Sequence, residues 1–256
     1  MRKVLVDCDP GVDDICALQF LFNRKDVEVV AITVVHGNCA ASIGAKNALK
    51  LLTLNNLQQE FSGKIPVFVG SDAVLVAENQ DWKKTPFHGK NGLCDVTEND
   101  VEIDESLIKP NAVQGICDLS AEFEGELEVL AIGPLTNLAL AMTLDTNVAK
   151  KWKSLTIMGG TSWGSGNTTA AAEFNFYHDP EAAASVFAKM PALLVPKIVT
   201  WETTLKGQFL GEKINFHPDQ KTTKGKWLWE RCKKMGIFSK PLLPTFAFAI
   251  SPPPQY

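Results

Sequence analysis

Residues 5–17 read Leu-Val-Asp-Cys-Asp-Pro-Gly-Val-Asp-Asp-Ile-Cys-Ala. This stretch begins inside an apolar strand and then packs four carboxylates into eight residues: Asp7, Asp9, Asp13 and Asp14. Like charges this close raise each other's pKa, so the cluster is unfavourable unless a cation lies among the acids. Hard divalent cations prefer oxygen ligands. The stretch therefore predicts a metal-and-substrate site at the end of a first strand.

Three other readings of the acid cluster explain less of it. A solvated turn with acids at a helix N-terminus would account for one carboxylate but not for four. An EF-hand loop requires a glutamate at its twelfth position, and counting from Asp7 that position is Leu18. No G-x-G-x-x-G fingerprint for a dinucleotide follows the first strand. We therefore retain the interpretation as a metal-and-substrate site.

Strand-like and helix-like segments alternate along the chain, as hydrophobic periodicity and turn residues indicate. The predicted strands are 4–7, 27–35, 66–69, 127–132, 155–158 and 192–199. The predicted helices are 12–22, 41–54, 110–123, 135–144 and 180–189. This order predicts an α/β fold with a doubly wound, mostly parallel sheet and helices on both faces. No repeat or linker divides the chain, so we expect a single domain over residues 1–256.

Polar residues follow several of the predicted strands. The second strand ends in His36-Gly37-Asn38, the 127–132 strand in Gly-Pro-Leu-Thr-Asn, and the 155–158 strand in a glycine-rich loop over 159–166. Beyond that loop lie Asn167, Glu173, Asn175 and Asp179. Ligands of such sheets bind outside the carboxyl ends of the strands, which parallel topology brings to one rim. The pattern predicts a polyhydroxylated ligand beside a metal.

Composition sets limits on the function. The chain has 256 residues, is 45% hydrophobic and 21% charged, and carries a net charge of −4. These are ordinary values for a globular domain, and the negative charge argues against nucleic-acid and membrane partners. No apolar run is long enough to span a bilayer. The six cysteines form no C-x-x-C pair, which favours buried reduced thiols and a cytoplasmic setting.

Local sequence leaves some polar residues open to two interpretations. Asn38 would either cap the helix that begins near Ala40 or line the site. Residues 173–175 (Glu-Phe-Asn) fit a surface turn, and equally an aromatic ring flanked by hydrogen-bonding partners. His88 lies in a loop, and a lone histidine is more often structural. His36 is expected to pack at a strand end, and two further histidines have no evident partner, namely His178 and His217.

Several motifs in a fixed order resemble one known family. Residues 7–14 match a D-x-D-P-G-x-D-D motif in full. Further matches follow at Gly37-Asn38, His88-Gly89, 133–137, 158–160, 166–167, 172–175 and 179–183. Over residues 3 to 205 the chain is similar to the inosine–uridine-preferring nucleoside hydrolases. This resemblance implies a Rossmann-like nucleoside hydrolase fold, and hydrolysis of the N-glycosidic bond of ribonucleosides to free base and ribose with a calcium-bound water.

The resemblance also implies roles for individual residues. Asp9 and Asp14 would ligate Ca²⁺ together with the main-chain carbonyl of Ile132, and Asp7 would support the metal site. Asp9 would in addition be the catalytic general base for the calcium-bound water. The residues implied to bind the ribonucleoside substrate are Asp13, Asn38, Asn167, Glu173, Phe174 and Asn175, with His88 near the sugar or base. A homo-oligomer is expected from the same resemblance.

The chain departs from the family near its end. The family closes its calcium site with a late acidic residue, but the comparable residues 242–250 contain no acid, and Phe246 stands at the expected position. Fewer carboxylate ligands weaken calcium binding. Asp219 is the nearest substitute, although it falls in a polar stretch. We therefore expect the C-terminal part, about 206–256, to be divergent or incomplete, as in a splice variant, a truncated product or a degenerate paralogue.

Two functions besides active hydrolysis compete for this chain. The missing late acid favours a catalytically impaired, nucleoside- or ribose-binding pseudoenzyme. A phosphatase of the haloacid dehalogenase type also uses Asp-x-Asp after its first strand. Here Pro10 follows the second acid, and no acidic pair follows the 155–158 strand, which argues against that class. The preferred nucleobase depends on loops around 78–92 and on the C-terminal region.

Overall fold

The computed structural model describes residues 1–56, 65–76, 87–206 and 221–235. The strands within these residues are β1 (Arg2–Cys8), β2 (Val27–Val34), β3 (Val67–Val69), β4 (Ile108–Lys109), β5 (Leu127–Ala131), β6 (Ser154–Met158) and β7 (Lys197–Val199). The α-helices within the same residues are α1 (Val12–Phe22), α2 (Ala41–Leu54), α3 (Ala112–Glu122), α4 (Thr136–Leu144), α5 (Phe174–His178), α6 (Pro180–Ala188), α7 (Trp201–Lys206) and α8 (Thr223–Met235). Short 3₁₀ turns precede β4 and β6, at Glu105–Leu107 and Val148–Lys151.

The strands form one sheet in the order β4-β3-β2-β1-β5-β6-β7, and every pairing among them is parallel. The chain builds outward from β1 to β4 on one side, and then returns to add β5, β6 and β7 on the other. The crevice where strand order reverses therefore lies at the carboxyl end of β1, which is where ligands bind in open α/β sheets. The acid cluster follows β1 directly.

Alternate residues of the central strands face opposite sides of the sheet. Val4 and Val6 of β1 pack in one apolar cluster with α1, α2 and α8, whereas Leu5 packs in a second cluster with α3, α4 and α6. Because both faces are covered, the strands consist of near-continuous apolar runs. The predicted doubly wound α/β fold with helices on both faces is confirmed.

The predicted strand over 192–199 is wrong for its first half. Only Lys197–Val199 pairs with β6, and Leu193 and Val195 are 99% and 81% exposed. Pro196 has no backbone N–H to donate to a neighbouring strand, so the apolar pattern before it cannot extend the ladder. The chain enters the edge strand only after this proline.

Most predicted helix bounds lie within two residues of the observed ones, and α1 and α2 agree at both ends. The helix predicted from residue 110 begins at Ala112, because Asn111 caps it from a left-handed conformation with φ of 62°. Predictions that concern His217, Asp219, Phe246 and the 242–250 stretch lie outside the described residues. Within the described residues no helix has the length and apolarity that crossing a membrane requires.

Candidate active site

Three of the four clustered acids are buried at the carboxyl end of β1. Asp7, Asp9 and Asp14 are each at most 1% exposed, and Asp13 is half-buried. Asp7 ends the apolar strand, Asp9 lies in the turn that follows, and Asp14 points back from the first turn of α1. In that turn Asp14 Oδ2 accepts the backbone N–H of Gly11 at 3.0 Å. Three of the four predicted acids are therefore buried at this strand end, and Asp13 lies at their partly exposed edge.

Asn38 joins two of these acids. Its backbone N–H donates to Asp9 Oδ2 at 2.8 Å, and its side-chain Nδ2 donates to Asp14 Oδ2 at 3.0 Å. Ala40 occupies the N-cap position of α2, and Asp72 Oδ1 accepts the N–H of Ala41, so Asn38 does not cap this helix. Gly37 is required beside this residue, because a Cβ at that position would collide with Asp9 Oδ2. The turn after β2 thus fixes the orientation of both carboxylates.

Asp7 forms hydrogen bonds that are separate from those of Asp9 and Asp14. Its Oδ1 accepts the hydroxyl of Thr33 at 2.6 Å and Nδ2 of Asn137 at 2.9 Å. Burial raises the pKa of Asp7 to about 7, and the two hydrogen bonds oppose that rise. Asn137 also accepts the backbone N–H of Ser71 on its Oδ1. Asn137 therefore ties β1 to the segment after β3, a role that we did not assign from the sequence.

The buried carboxylates have no lysine or arginine beside them in the described part of the chain. Burial, and then the neighbouring carboxylates, raise the pKa values of Asp9 and Asp14 well above the ordinary range. Among the described residues, no lysine or arginine forms an ion pair with Asp7, Asp9 or Asp14. Asp7 Oδ2 and Asp14 Oδ1 are buried without a hydrogen-bond partner in that same part of the chain.

This donor set fits a hard divalent cation, which carboxylate oxygens would bind and whose charge would offset their repulsion. The main-chain carbonyl of Ile132 lies at the adjacent end of β5. A Cβ on the next residue, Gly133, would be 2.8 Å from Asp9 Oδ1, so the two elements are in close contact. The described residues do not, however, assemble three or more acidic, histidine or cysteine side chains around one cation position. A further ligand would have to come from elsewhere.

Glu173 and Asn175, at the start of α5, form a wall beside the carboxyl ends of β5 and β6. Glu173 is 1% exposed and caps this helix, with Oε1 accepting the N–H of Asn175 at 2.9 Å and Oε2 that of Gly160 at 2.9 Å. Asn175 Nδ2 donates to the carbonyl oxygens of Ile132 and Met158, both at 3.0 Å. One amide thus spans the ends of β5 and β6. The interpretation of residues 173–175 as a surface turn is wrong.

Comparison with known proteins agrees with this geometry. A family model described as inosine-uridine preferring nucleoside hydrolase matches residues 4–247. The chain belongs to this nucleoside hydrolase family. Among curated relatives, Uridine nucleosidase 1 of Arabidopsis thaliana is 37% identical over 189 residues, which cover 73% of this chain and 53% of the relative. A pyrimidine-specific ribonucleoside hydrolase, RihB of Escherichia coli, is 31% identical over 207 residues, covering 79% and 61% of the two chains.

Solved structures support the same family. A plant nucleoside hydrolase, PpNRh1, superposes with a TM-score of 0.80 at 28% identity, covering 97% of this chain and 77% of that one. An inosine-guanosine nucleoside hydrolase gives a TM-score of 0.80 at 29% identity, with 98% and 78% coverage. The chain spans about half the length of the plant uridine nucleosidases that it matches.

His88 lies at the N-terminus of α1. It is 4% exposed; its Nδ1 accepts the backbone N–H of Val12 at 3.2 Å, and its Nε2 is 3.6 Å from Asp13 Oδ1. Burial lowers the pKa of His88, and Asp13 opposes that shift. An accepting Nδ1 leaves the proton on Nε2, which is directed at the carboxylate. His88 therefore lies beside Asp13 and the first turn of α1, rather than in a loop remote from the acid cluster.

The remaining predicted ribose contacts lie along the loop between β6 and α5. Asn167 is exposed, and its Oδ1 accepts the backbone N–H of Phe174 at 2.8 Å. Phe174 is half-buried, with its ring centroid 3.8 Å from that of His178. The His178 ring Nδ1 is 2.9 Å from the carbonyl of Phe174. Asn167 is therefore hydrogen-bonded to the first residue of α5, and the ring of Phe174 packs against His178 at the other end of this helix.

A buried polar network lies at the C-terminal end of α5, and the sequence did not predict it. The hydroxyl of Thr136 donates to Asp179 Oδ2 at 2.7 Å, and because it has a single proton it accepts from Nε2 of His36 at 3.0 Å. Asp179 Oδ1 accepts the N–H of Ala182 and so caps α6, directly after α5 ends. The polar side chains of Thr136, Asp179 and His36 are all fully buried. The network fixes the far end of the helix that carries Asn175.

Thr136→Val should therefore be much more harmful than Thr136→Ser. Valine keeps the shape but leaves Asp179 and His36 each short of a buried partner, which costs about 1–3 kcal/mol of unfolding free energy. Serine keeps the hydroxyl and removes one buried methyl group, a loss of about 1 kcal/mol. Urea unfolding of the three proteins measures both effects. Equal losses for the two variants would contradict a role for the hydroxyl.

Proposed function

We propose that this chain hydrolyses the N-glycosidic bond of ribonucleosides, releasing the free base and ribose. The observation that carries the proposal is that Asn175 donates to the carbonyl of Ile132, and the next residue, Gly133, lies against the buried Asp9, so that the acids after β1 and the polar residues of α5 meet at one rim of the sheet. Family membership and the names of the relatives support the same activity. The substrates of those relatives are uridine, pyrimidine nucleosides, inosine and guanosine, as their names state.

Asp9 is proposed as the general base. It is buried, its Oδ2 is fixed by the N–H of Asn38, and burial together with the neighbouring Asp14 raises its pKa, which makes the carboxylate a stronger base. A divalent cation held by Asp9, Asp14 and the Ile132 carbonyl would lower the pKa of a nearby water and fix its position. We propose Ca²⁺ for this cation, because all these donors are oxygens.

The other polar side chains are proposed to hold the ribose. Cleavage of a glycosidic bond builds oxocarbenium character on the sugar, which nearby carboxylates such as Asp13 and Glu173 stabilise. Hydrogen bonds from the ribose hydroxyls to these acids and to amides would fix the anomeric carbon against the water, and such positioning contributes a large share of the barrier reduction. The proposed amide contacts are Asn38, Asn167 and Asn175, and Phe174 and His88 are proposed near the sugar or base.

A reducing-sugar assay on several nucleosides tests the activity. Inosine, uridine, cytidine and guanosine are incubated with the protein, with added Ca²⁺ or with a chelator. Ribose should appear with at least one nucleoside and should depend on calcium. No release from any of them at any calcium concentration would refute the proposal.

A catalytically impaired binding protein is the second candidate. It is favoured because the described residues do not bring three acidic ligands to one cation position. In that case calorimetry would detect nucleoside or ribose binding without turnover, and Phe246→Asp would restore hydrolysis if that position supplies the missing ligand. A parent that already turns over rapidly with calcium would exclude this candidate.

Three broader features are part of the same proposal. The two apolar clusters lie on the two faces of one continuous sheet, which supports a single domain over 1–256. Homo-oligomerisation is proposed from the family resemblance. The free state of all six cysteines supports a cytoplasmic setting. Size-exclusion chromatography with light scattering tests the oligomeric state.

A further inference from the structure

Two cysteines from opposite ends of the chain meet beside the acid cluster. Cys16 on α1 and Cys232 on α8 place their Sγ atoms 3.7 Å apart. We propose that this pair is a thiol-oxidation site, at which a low-molecular-weight disulfide converts the two thiols into a reversible cross-link between α1 and α8. The inference does not depend on the proposed hydrolytic activity.

The two sulfur atoms are held in place by the packing of their helices. Cys232 is fully buried in the same apolar cluster as Ile15 and Leu18 of α1. The neighbouring Arg231 is 1% exposed, and its guanidinium donates to the carbonyls of Trp227 at 3.0 Å and Val96 at 3.2 Å. The bond to Val96 therefore ties α8 to a second segment of the chain besides α1. The sulfurs need to approach only from 3.7 Å to the bond length of about 2.05 Å.

The two thiols differ in access, and this difference assigns the order of reaction. Cys16 is half-buried, so a small disulfide meets it first, whereas Cys232 is enclosed. Cys16 attacks the small disulfide, forms a mixed disulfide and releases one small thiol. Cys232 then attacks the Cys16 sulfur, forms the protein disulfide and releases the second small thiol. The two protein thiols are oxidised, one small disulfide is reduced, and the two protons leave on the two released thiols.

The cross-link would join residues 216 positions apart in the sequence. A disulfide that closes so long a loop restricts the unfolded chain strongly and stabilises the folded one. It would also tie α8 to the helix whose first turn carries Asp13 and Asp14. The cross-link would therefore form on the same side of the molecule as the acid cluster.

The other cysteines provide internal comparisons. Cys8 is fully buried in the central strand, and Cys117 lies in the opposite apolar cluster, where its sulfur is 3.9 Å from the carbonyl of Ala141. Neither forms a hydrogen bond with another cysteine sulfur in the described part of the chain. Cys94 is half-buried and near Cys232, so it is the natural competitor for an oxidant. Peptide mapping distinguishes its products from the cross-link.

The test uses the purified full chain and oxidised glutathione as the probe. After hours of incubation, the time that uncatalysed exchange takes, non-reducing peptide mapping should find a Cys16–Cys232 peptide pair that dithiothreitol removes. The oxidised protein should unfold about 5 °C or more above its reduced form, since loops of this length gain the most. Cys117→Ser should behave as the parent does in both measurements.

Cys16→Ser and Cys232→Ser should each lose both the cross-linked peptide and the rise in Tm. Cys16 is half-buried, so its serine variant remains informative if the change at buried Cys232 prevents folding. The proposal is overturned if the parent retains both thiols, if only glutathione adducts form, or if the bond joins Cys94 instead. An unchanged Tm in a parent that carries the cross-link would overturn the stabilisation.

Discussion

Replacing Asp9 by asparagine should reduce kcat for nucleoside hydrolysis by about 10³-fold, the usual contribution of a general base. The asparagine oxygen can still accept the N–H of Asn38, so the turn should keep its shape. The amide cannot take a proton from water. Loss of one buried carboxylate also removes repulsion from Asp14, so the metal-free variant should be at least as stable as the parent. Steady-state assays and thermal unfolding measure the two effects.

Asp118→Asn is the matched control, because Asp118 is exposed on α3 and contacts Gln114 rather than the cluster. It should leave both kcat and Tm unchanged. An Asp9→Asn protein that retained the parental rate would show that the base has been wrongly assigned. A variant that lost activity together with its folded structure would contradict the expected gain in stability.

Calcium should stabilise this protein strongly. At a concentration 100 times its Kd, a ligand that binds only the folded state adds about 2.7 kcal/mol to the free energy of unfolding. For a chain of this size that gain corresponds to a rise in Tm of roughly 5–10 °C. The physical source is the buried group of Asp7, Asp9 and Asp14, which has no described lysine or arginine partner. Differential scanning calorimetry with a calcium series, against a chelator, measures the shift.

Asp14→Asn should abolish most of the rise in Tm with calcium, because it removes the negative charge of the Asp14 carboxylate. Oδ1 of that carboxylate is buried and has no hydrogen bond among the described residues, so it is available to a cation. Sodium chloride at the same ionic strength as the calcium solution serves as the control. Magnesium should stabilise less, because it requires stricter octahedral geometry and gives up its water reluctantly. The cation assignment fails if the parental Tm does not respond to calcium, or if the Asp9→Asn/Asp14→Asn double variant responds as the parent does.

Much of the fold could be predicted from hydrophobic pattern. β2 is almost wholly apolar, and the buried apolar residues of α1 and α2 recur at helical spacing, so their bounds agree closely with the structure. The errors have local causes. Pro196 prevents an apolar run from pairing, and α5 is only five residues long, too short for periodicity to reveal. Its position depends on the Glu173 cap, whose carboxylate also accepts the N–H of Gly160 just after β6.

The candidate site was only partly predictable. The crowded acids after β1 indicate a cation on charge alone, and parallel topology predicts which strand ends meet. The contact of Asn38 with two acids was not predictable, because capping and ligand-site readings suit the same short polar stretch. The Thr136–Asp179 hydrogen bond joins residues 43 positions apart, and pairing at that distance leaves no mark in local sequence. The roles of the ribose-binding residues remain predictions.

The contact between Asp7 and Asn137 spans 130 positions, and this has a consequence for the order in which the protein folds. During synthesis, β1, α1 and β2 emerge and can pair early, since their contacts are local. Their acidic turn then waits for β5 and α4, whose late closure carries a larger entropic cost. The nascent N-terminal half should therefore expose a row of ionised aspartates to water. The same acids that are unfavourable in the finished core would keep the unfinished chain soluble.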